Sequence, residues 1–200
     1  KRYLAVPKVS SERRQFIPIG YLDNDVICGD KIFFVDDASL FTFGVLTSTM
    51  HNAWMRQTCG RLESRYSYSN TIVYNNFPWP GFTGEPLSDK HRTAIEQVAQ
   101  AVLDARAQFA SSSLADLYDP LTMPPALLKA HQKLDTAVDA AYQPSGGKKI
   151  YATDAERVAF LFDLYQRITS LLPVPARKNK KKIDTKLTDT FPAGSANKKR

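Results

Sequence analysis

The residues whose types and spacing point most directly to a chemistry are Glu63 and Arg65, which are separated by one serine. A guanidinium can donate two hydrogen bonds to O6 and N7 of guanine, and a carboxylate can accept one from the amino group of cytosine. In an extended backbone both side chains would point to one face, about 6.5–7 Å apart along the strand. That reach suits the two halves of one C·G pair. The plain alternative is a same-face ion pair that adds little to stability.

Other catalytic and metal-binding signatures do not occur in the sequence. There is neither a glycine-rich phosphate loop nor a GxSxG nucleophile elbow. The three histidines lack metal-ligand spacing, so we interpret them as ordinary surface or half-buried imidazoles. Asp36-Asp37 is typical of a turn, because adjacent strand residues point to opposite faces. We therefore predict neither a catalytic residue nor a metal ligand in this chain.

The segment Asn75–Trp79 has the residue types of a catalytic loop but not their order. Enzymes that methylate DNA amino groups use a loop of Asp, Asn or Ser, two adjacent prolines and an aromatic residue to hold the flipped base. Here the order is Asn-Phe-Pro-Trp, without adjacent prolines. We assign this segment to packing.

The net charge of +7 is concentrated in the last part of the chain. From Pro173 onward basic residues strongly exceed acidic ones, whereas residues 1–172 hold equal numbers of both. Within that neutral part, residues 1–80 are slightly basic and interleave arginine and lysine with aromatic residues. A nucleic-acid surface would therefore belong to residues 1–80 or to the tail.

Four arginines of the first 80 residues are candidate phosphate contacts on charge grounds. They are Arg13, Arg14, Arg56 and Arg61. Arg61 has a second interpretation, because it could equally support the loop that carries Glu63 from behind.

The first 80 residues predict an irregular, mostly antiparallel sheet with one helix. The aromatic and β-branched residues predict strands; they are Tyr3–Val9, Gln15–Ile19, Ile32–Val35, Leu40–Val45 and Tyr66–Tyr74. Thr47-Ser48-Thr49 offers N-cap hydroxyls for a helix through Gln57, and Gly60 is placed to end it. Gly81–Pro86 is typical of a linker.

Residues 81–172 change to a helical pattern. Apolar residues recur at three- and four-residue steps in three long segments, which begin at Ser88, Pro124-Pro125 and Thr153. Leu114–Tyr118 predicts one short turn, and Gly146-Gly147 ends a connection. These helices can form a small bundle, so the fold class is α+β. Residues 173–200 are rich in lysine and poor in apolar residues, which predicts disorder.

Two features bear on the setting of the chain. Cys28 and Cys59 are too few for a disulfide framework and fit a reducing, cytoplasmic environment. No apolar run approaches the ~18 residues of a membrane span. The chain opens with Lys1 rather than Met, and we interpret it as a piece of a longer polypeptide.

Several long runs are similar to the C-terminal part of MmeI-like type IIL enzymes. Those are single-chain bacterial proteins that join a restriction nuclease, an S-adenosylmethionine-dependent adenine-N6 DNA methyltransferase and a target recognition domain. The resemblance covers nearly all of residues 1–172 and does not include the tail. The runs include RLESRYSYSNTIVYNNFPWP and lie in Arg2–Leu22, Phe43–Pro80, Val98–Phe109, Ser113–Tyr142 and Asp154–Ile168.

The resemblance implies base-reading roles for five residues. In this family the positions that match Glu63 and Arg65 look like a specificity pair, occupied by Glu/Arg or by Lys/Asp according to the last base pair recognised. With glutamate and arginine at these positions, the resemblance implies cytosine when the site is read along the methylated strand, and guanine opposite. By the same resemblance, Lys8 and Asp30 address a more central base pair, and Lys31 addresses its neighbour.

The resemblance also implies an organisation and a set of partners. Residues 1–80 would be part of the DNA target recognition domain, and residues 81–172 would be the C-terminal helical domain. The catalytic domains would lie upstream and would use S-adenosylmethionine and Mg²⁺, while this segment would bind neither. The expected partners are double-stranded DNA and the upstream methyltransferase domain, with no membrane.

An alternative from another class is a non-enzymatic protein-interaction module with a helical assembly domain. The neutrality of residues 1–172 favours this alternative, because proteins that bind DNA on their own are usually more basic.

Overall fold

The computed structural model describes residues 2–82, 86–143 and 151–170. Its strands are β1 (Arg2–Pro7), β2 (Val9–Ser10), β3 (Gly20–Asp23), β4 (Ile32–Asp36), β5 (Gly60–Leu62) and β6 (Arg65–Ser67). Its α-helices are α1 (Leu40–Thr47), α2 (Thr49–Thr58), α3 (Asp89–Ala107), α4 (Leu114–Leu117), α5 (Pro125–Ala141) and α6 (Asp154–Thr169), and a π-helical turn spans Asn70–Tyr74. The predicted α+β class is confirmed.

The first sheet has the order β3-β1-β4, with both outer strands antiparallel to β1. Leu4 and Val6 alternate toward the core and are 0% and 1% exposed. Because β3 and β4 run in the same direction, residues 24–31 must return along the length of β1 to connect them. The second sheet has the order β2-β6-β5, in which β5 and β6 form a hairpin.

The segment Leu40–Val45 is helical, so its prediction as a strand was wrong. Ser39 accepts a hydrogen bond from the Thr42 N–H and begins α1 as its N-cap. The helix is apolar and buried over most of its surface, so its sequence lacks the polar face that marks an amphipathic helix. A short apolar run of this kind fits a buried strand equally well by periodicity alone.

Helix α2 follows directly, as the N-cap hydroxyls predicted. Ser48 ends α1 by donating its hydroxyl to the Val45 carbonyl, and it caps α2 by accepting from the His51 N–H. The helix ends at Thr58, and Gly60 begins β5 instead of closing the helix.

Two other strand predictions need correction. Gln15–Ile19 is irregular, because Pro18 lacks an N–H and the Ile17 N–H donates to the Asn52 side chain at 3.0 Å. Tyr66–Tyr74 is a strand only as far as Ser67, after which Ser69 caps the π-helical turn.

The helices of the second half are capped as the sequence predicts. Ser88 and Thr153 accept from backbone N–H groups in the first turns of α3 and α6, and Pro125 occupies the first turn of α5. Helices α3 and α5 pack together, α1 packs on α3, and α6 packs on α2. The described residues up to Ser170 therefore form one compact unit.

Gly44 permits the close approach of α1 and α3. A Cβ at this position would lie 2.8 Å from Ile95 Cγ2 and 3.1 Å from Ala99 Cβ. Because Gly44 has no side chain, α1 of the first half and α3 of the second half can pack in direct contact.

Some sequence predictions fall outside the described residues. They concern Gly146-Gly147 and the basic tail at 173–200. Within the described ranges, no helix combines the length and the apolarity that a membrane crossing requires.

Candidate nucleic-acid interface

The hairpin of β5 and β6 carries Glu63 in its turn. Leu62 pairs with Arg65 across the hairpin, so Glu63 and Ser64 form a two-residue loop. Glu63 has φ 58° and is one of two non-glycine residues with positive φ in the described ranges. This φ lies in the left-handed region, which residues with a side chain rarely adopt. The extended backbone expected for Glu63 was therefore wrong.

The turn nevertheless brings the two predicted side chains into contact. Arg65 Nη2 donates to Glu63 Oε2 at 2.7 Å. The arginine side chain is 46% exposed and the glutamate side chain 76% exposed, so both groups face solvent at the tip of the hairpin. An exposed ion pair of this kind contributes about 0–1 kcal/mol to stability. The pair can therefore be altered without unfolding the chain.

Arg61 lies on the other face of the same hairpin. Its Nη1 donates to the Ser64 carbonyl at 3.1 Å, and its guanidinium lies 4.2 Å from the centre of the Tyr66 ring. Tyr66 is 8% exposed and belongs to the core. Because successive strand residues point to opposite faces, Arg61 and Tyr66 lie on the face away from Arg65. The interpretation of Arg61 as a support of the loop fits this geometry.

A second charged group contains Lys8, Asp30 and Lys31. Lys31 Nζ lies 2.9 Å from Asp30 Oδ2, and both side chains are about four-fifths exposed. The hydrogen bond and the charge of Lys31 lower the pKa of the Asp30 carboxyl, with a further contribution from the charge of Lys8. The Lys8 ammonium lies 4.4 Å from the centre of the Phe33 ring. The structure thus assembles the three residues that the resemblance assigned to neighbouring base pairs.

The backbone of Lys8 connects this group to the hairpin. Its N–H donates to the Lys31 carbonyl at 2.9 Å, and its carbonyl accepts from the Tyr68 N–H at 2.8 Å. Tyr68 continues β6 three residues beyond Arg65, a separation of about 10 Å along an extended chain. The two charged groups are therefore held on one continuous framework.

The remaining predicted phosphate contacts differ in their surroundings. Arg13 is exposed, and its side chain has no partner among the described residues. Arg14 is half-buried and donates to the Ala115 carbonyl at 3.4 Å. Arg56 is only 20% exposed in its side chain, pairs with Asp154 at 2.7 Å and also donates to the Gln15 carbonyl. Arg14 and Arg56 thus have structural roles, and phosphate contact stays a prediction for all three.

Two of the histidines are buried rather than exposed or half-buried. His51 and His131 are 0% exposed, and burial lowers the pKa of each to about 3. His51 Nε2 lies 3.0 Å from the hydroxyl of Tyr68, the residue that follows the strand carrying Arg65. The buried imidazole therefore supports the candidate surface as a neutral group.

The segment with the residue types of a catalytic loop is used in packing, as the sequence predicted. Phe77 is 2% exposed and lies edge-on to His51 with 4.6 Å between ring centres. The Pro78 carbonyl accepts from the Tyr142 hydroxyl at 2.9 Å. Phe77 and Pro78 are thus both buried, while Trp79 is half-buried.

Tyr3 has a role that no sequence pattern indicated. Its hydroxyl donates to the Val26 carbonyl at 2.6 Å and lies 3.1 Å from Cys28 Sγ. The contact with Cys28 is the main cause that raises the pKa of Tyr3 to about 12. The hydroxyl therefore anchors the 24–31 connection that carries Asp30. Tyr3 meets Val26 and Cys28 because the connection runs back along β1, and spacing along the sequence does not reveal that path.

Comparisons of the sequence with known proteins identify the family of this chain. The sequence model of the MmeI target recognition domain matches residues 1–81, and that of the MmeI C-terminal domain matches residues 87–173. The DNA methyltransferase A of Bacillus subtilis (strain 168) is 39% identical over 166 residues, which are 83% of this chain and 18% of that protein.

A solved structure is also similar to this chain. It is that of the type IIL restriction-modification enzyme MmeI in complex with DNA, which is 51% identical and superimposes with a TM-score of 0.78. The match covers 86% of this chain and 22% of that one, so the chain spans about a fifth of the length of both relatives. The chain belongs to the MmeI family and is an MmeI-like C-terminal segment, with target recognition domain sequence followed by the C-terminal domain.

Proposed function

We propose that this chain is the DNA-recognition portion of a bacterial restriction-modification enzyme that methylates adenine at N6 with S-adenosylmethionine. The chain would direct the methyltransferase and nuclease domains of the same polypeptide to their site on duplex DNA. The match to the MmeI target recognition domain supports this proposal, as does the similarity to an MmeI structure in complex with DNA. S-adenosylmethionine and Mg²⁺ are assigned to the parent enzyme outside this segment.

The observation that carries the proposal is the contact between Arg65 and Glu63 at the exposed tip of the hairpin. In a C·G pair the amino group of cytosine is hydrogen-bonded to O6 of guanine, so the donor and the acceptor are neighbours on the major-groove edge. A carboxylate and a guanidinium already in contact match that edge, because the carboxylate accepts a hydrogen bond from the amino group and the guanidinium donates to guanine. Arg65 has five N–H groups and uses one of them on Glu63. Enough donors remain for a bidentate contact.

The group of Lys8, Asp30 and Lys31 supplies a second set of readers in the same proposal. Ammonium groups can donate to guanine or to phosphate, and a carboxylate can accept from cytosine. The exposure of Asp30 and Lys31 leaves both accessible to a groove. The backbone that joins the two groups spans about 10 Å of extended chain from Arg65 to Tyr68, which suits contacts to separate positions of one site.

The test of the proposal is an exchange of the charges at the hairpin tip. In the parent enzyme, the double substitution Glu63→Lys with Arg65→Asp should change one base pair of the methylated sequence, because donors and acceptors trade places. Mapping methylated adenines across a genome by long-read sequencing measures this outcome. An unchanged sequence motif would remove both residues from the set of base readers.

The second candidate, a non-enzymatic interaction module, is favoured by two observations. Residues 1–172 are neutral, and apolar side chains lie exposed on the first sheet and its connection, with Ile27 at 95% and Phe34 at 68%. A docked protein would cover such residues. Binding to duplex DNA at several salt concentrations separates the two candidates. Phosphate contacts make log affinity fall linearly with log salt, whereas a slope near zero would favour the interaction module.

A further inference from the structure

We propose that Arg61 is a positioning residue for base reading, which holds the Glu63-Ser64 turn in the one conformation that presents Glu63 and Arg65 together. This inference rests on the function proposed above. It assigns to Arg61 neither a base contact nor a phosphate contact.

The turn needs a support because its backbone is unfavourable for the residue that occupies it. Glu63 has φ 58°, in the left-handed region where a Cβ crowds the backbone and where glycine, asparagine and aspartate are favoured. A two-residue loop with glutamate at this position is therefore not held by its own local preference. A contact from outside the loop must hold it, or the loop samples other conformations.

Arg61 supplies that contact from a fixed base. Its Nη1 donates to the Ser64 carbonyl at 3.1 Å, a charge-assisted hydrogen bond to the second residue of the loop. Its guanidinium rests on the ring of Tyr66 at 4.2 Å, and Tyr66 is 8% exposed within the core. The ring thus anchors the guanidinium, and the guanidinium anchors the loop.

The position of Arg61 also separates it from the readers. Arg61 is the strand partner of Tyr66, and Leu62 is the partner of Arg65. The Arg61 side chain therefore lies on the Tyr66 face of the hairpin, opposite to the face of Arg65. Arg61 acts on recognition through the Ser64 carbonyl. Its loss should therefore reduce discrimination at one base pair and leave the other DNA contacts unchanged.

The experiment uses the parent enzyme with Arg61→Met, which keeps an aliphatic stem against Tyr66 and loses the charge and the donors. We expect the ratio of affinities for the cognate duplex and for a duplex changed only at the base pair read by Glu63 and Arg65 to fall about tenfold, within the range of one bidentate contact. Ratios for changes at other base pairs and the salt dependence of binding should stay the same. Arg61→Lys, which keeps a charged donor, should recover much of the lost ratio.

The matched control is Arg92→Met in α3. The Arg92 guanidinium also rests on an aromatic ring, that of Phe41 at 4.5 Å, and it belongs to a helix outside the hairpin. It loses the same charge and the same type of ring contact without touching a turn. Its affinity ratios should equal those of the unaltered enzyme.

Two outcomes would overturn the inference. A uniform loss of affinity for all duplexes, with a salt slope smaller by about one, would make Arg61 a phosphate contact. Unchanged ratios in Arg61→Met would show that the turn holds without it. If Arg61→Met strongly lowers the melting temperature, the general loss of folding would reduce the affinity for all duplexes alike. The affinity ratios of Arg61→Lys then decide whether Arg61 positions the turn.

Failure of the inference can be told from failure of the proposed function. If the charge exchange at Glu63 and Arg65 leaves the methylated sequence unchanged, the readers are wrong, whatever Arg61 does. If the exchange changes one base pair while Arg61→Met leaves all ratios unchanged, only the positioning role is wrong.

Discussion

Tyr118 Oη lies 2.7 Å from His131 Nε2 in the core between α4 and α5. Arg106 donates to the same oxygen through Nε and Nη2, and its Nη1 donates to the Ile19 carbonyl at 2.8 Å. Since a guanidinium only donates, the Tyr118 hydroxyl must direct its proton to His131 Nε2. The proton of the neutral imidazole is then on Nδ1, which is buried without a partner among the described residues.

This network makes stability sensitive to acid. Burial, together with the charge of Arg106, lowers the pKa of His131 to about 3. The unfolded chain binds a proton near pH 6.5, so stability is fully present above that pH and falls between about pH 6.5 and 3. His131→Gln keeps an acceptor for Tyr118 but does not titrate. In urea unfolding across this range, the variant should lose stability with acid less steeply than the wild type, by at most about 1.4 kcal/mol per pH unit. An equal slope in both proteins would contradict the assignment.

Asp135 should produce a pH dependence of opposite sign. Its carboxylate accepts from the N–H and the hydroxyl of Thr49 at the start of α2, at 2.6 and 2.7 Å. Burial raises the pKa of Asp135 to about 6, above its value of 3.8 in the unfolded chain. The stabilising contribution of this group is therefore present below pH 3.8 and is lost as the pH rises through 6. As the pH rises from 3.8 to about 6, the stability of the wild type relative to Asp135→Asn should decrease. A difference that is constant with pH would rule this out.

The close approach of α1 and α3 predicts a steric effect at Gly44. Gly44→Val should lower the free energy of unfolding by about 1–3 kcal/mol, because its side chain would meet Ile95 and Ala99. Gly29→Val is the matched control, since nothing lies within 4 Å of a Cβ at Gly29. Thermal or urea unfolding measures both. Equal stabilities of the two variants would show that α3 yields to the added side chain.

Removal of one charge at the hairpin should affect recognition and leave folding intact. Arg65→Ala in the parent enzyme should reduce discrimination at one base pair by about 1–3 kcal/mol, while stability changes by about 1 kcal/mol or less because the pair is exposed. Competition between duplexes that differ at that base pair measures the first quantity. Arg167→Ala, which breaks the exposed pair with Asp163 in α6, is the control and should leave discrimination unchanged.

The sequence predicted those elements whose signals are local. Ser48, Ser88 and Thr153 all cap the helices they were expected to cap, because an N-cap hydroxyl reaches N–H groups only three residues away. The strand predicted over Leu40–Val45 was wrong because its apolar run has no polar face, and burial against α3 decides in favour of a helix.

The candidate site was predictable in composition but not in geometry. The residue types of Glu63 and Arg65 indicated their chemistry, and the ion pair between them was one of the two interpretations. The turn that joins them depends on the pairing of Leu62 with Arg65 and on the side chain of Arg61, which spacing along the chain does not reveal. In the same way, the hydrogen bond of His131 is made by Tyr118, which Arg106 holds in place, and both lie outside the helix that carries His131.

Lys8 divides the candidate surface into parts that differ in how freely they can be altered. At the hairpin tip Glu63 and Arg65 pair with each other, so substitutions there should combine additively with changes outside the hairpin. Lys8 holds the first sheet through its N–H and the second through its carbonyl. A substitution that shifts its backbone therefore moves Lys31 and Tyr68 together, and changes at these positions should be strongly non-additive. Specificity can therefore be redesigned at the hairpin by itself, whereas a change at Lys8 requires matching changes at Lys31 and Tyr68.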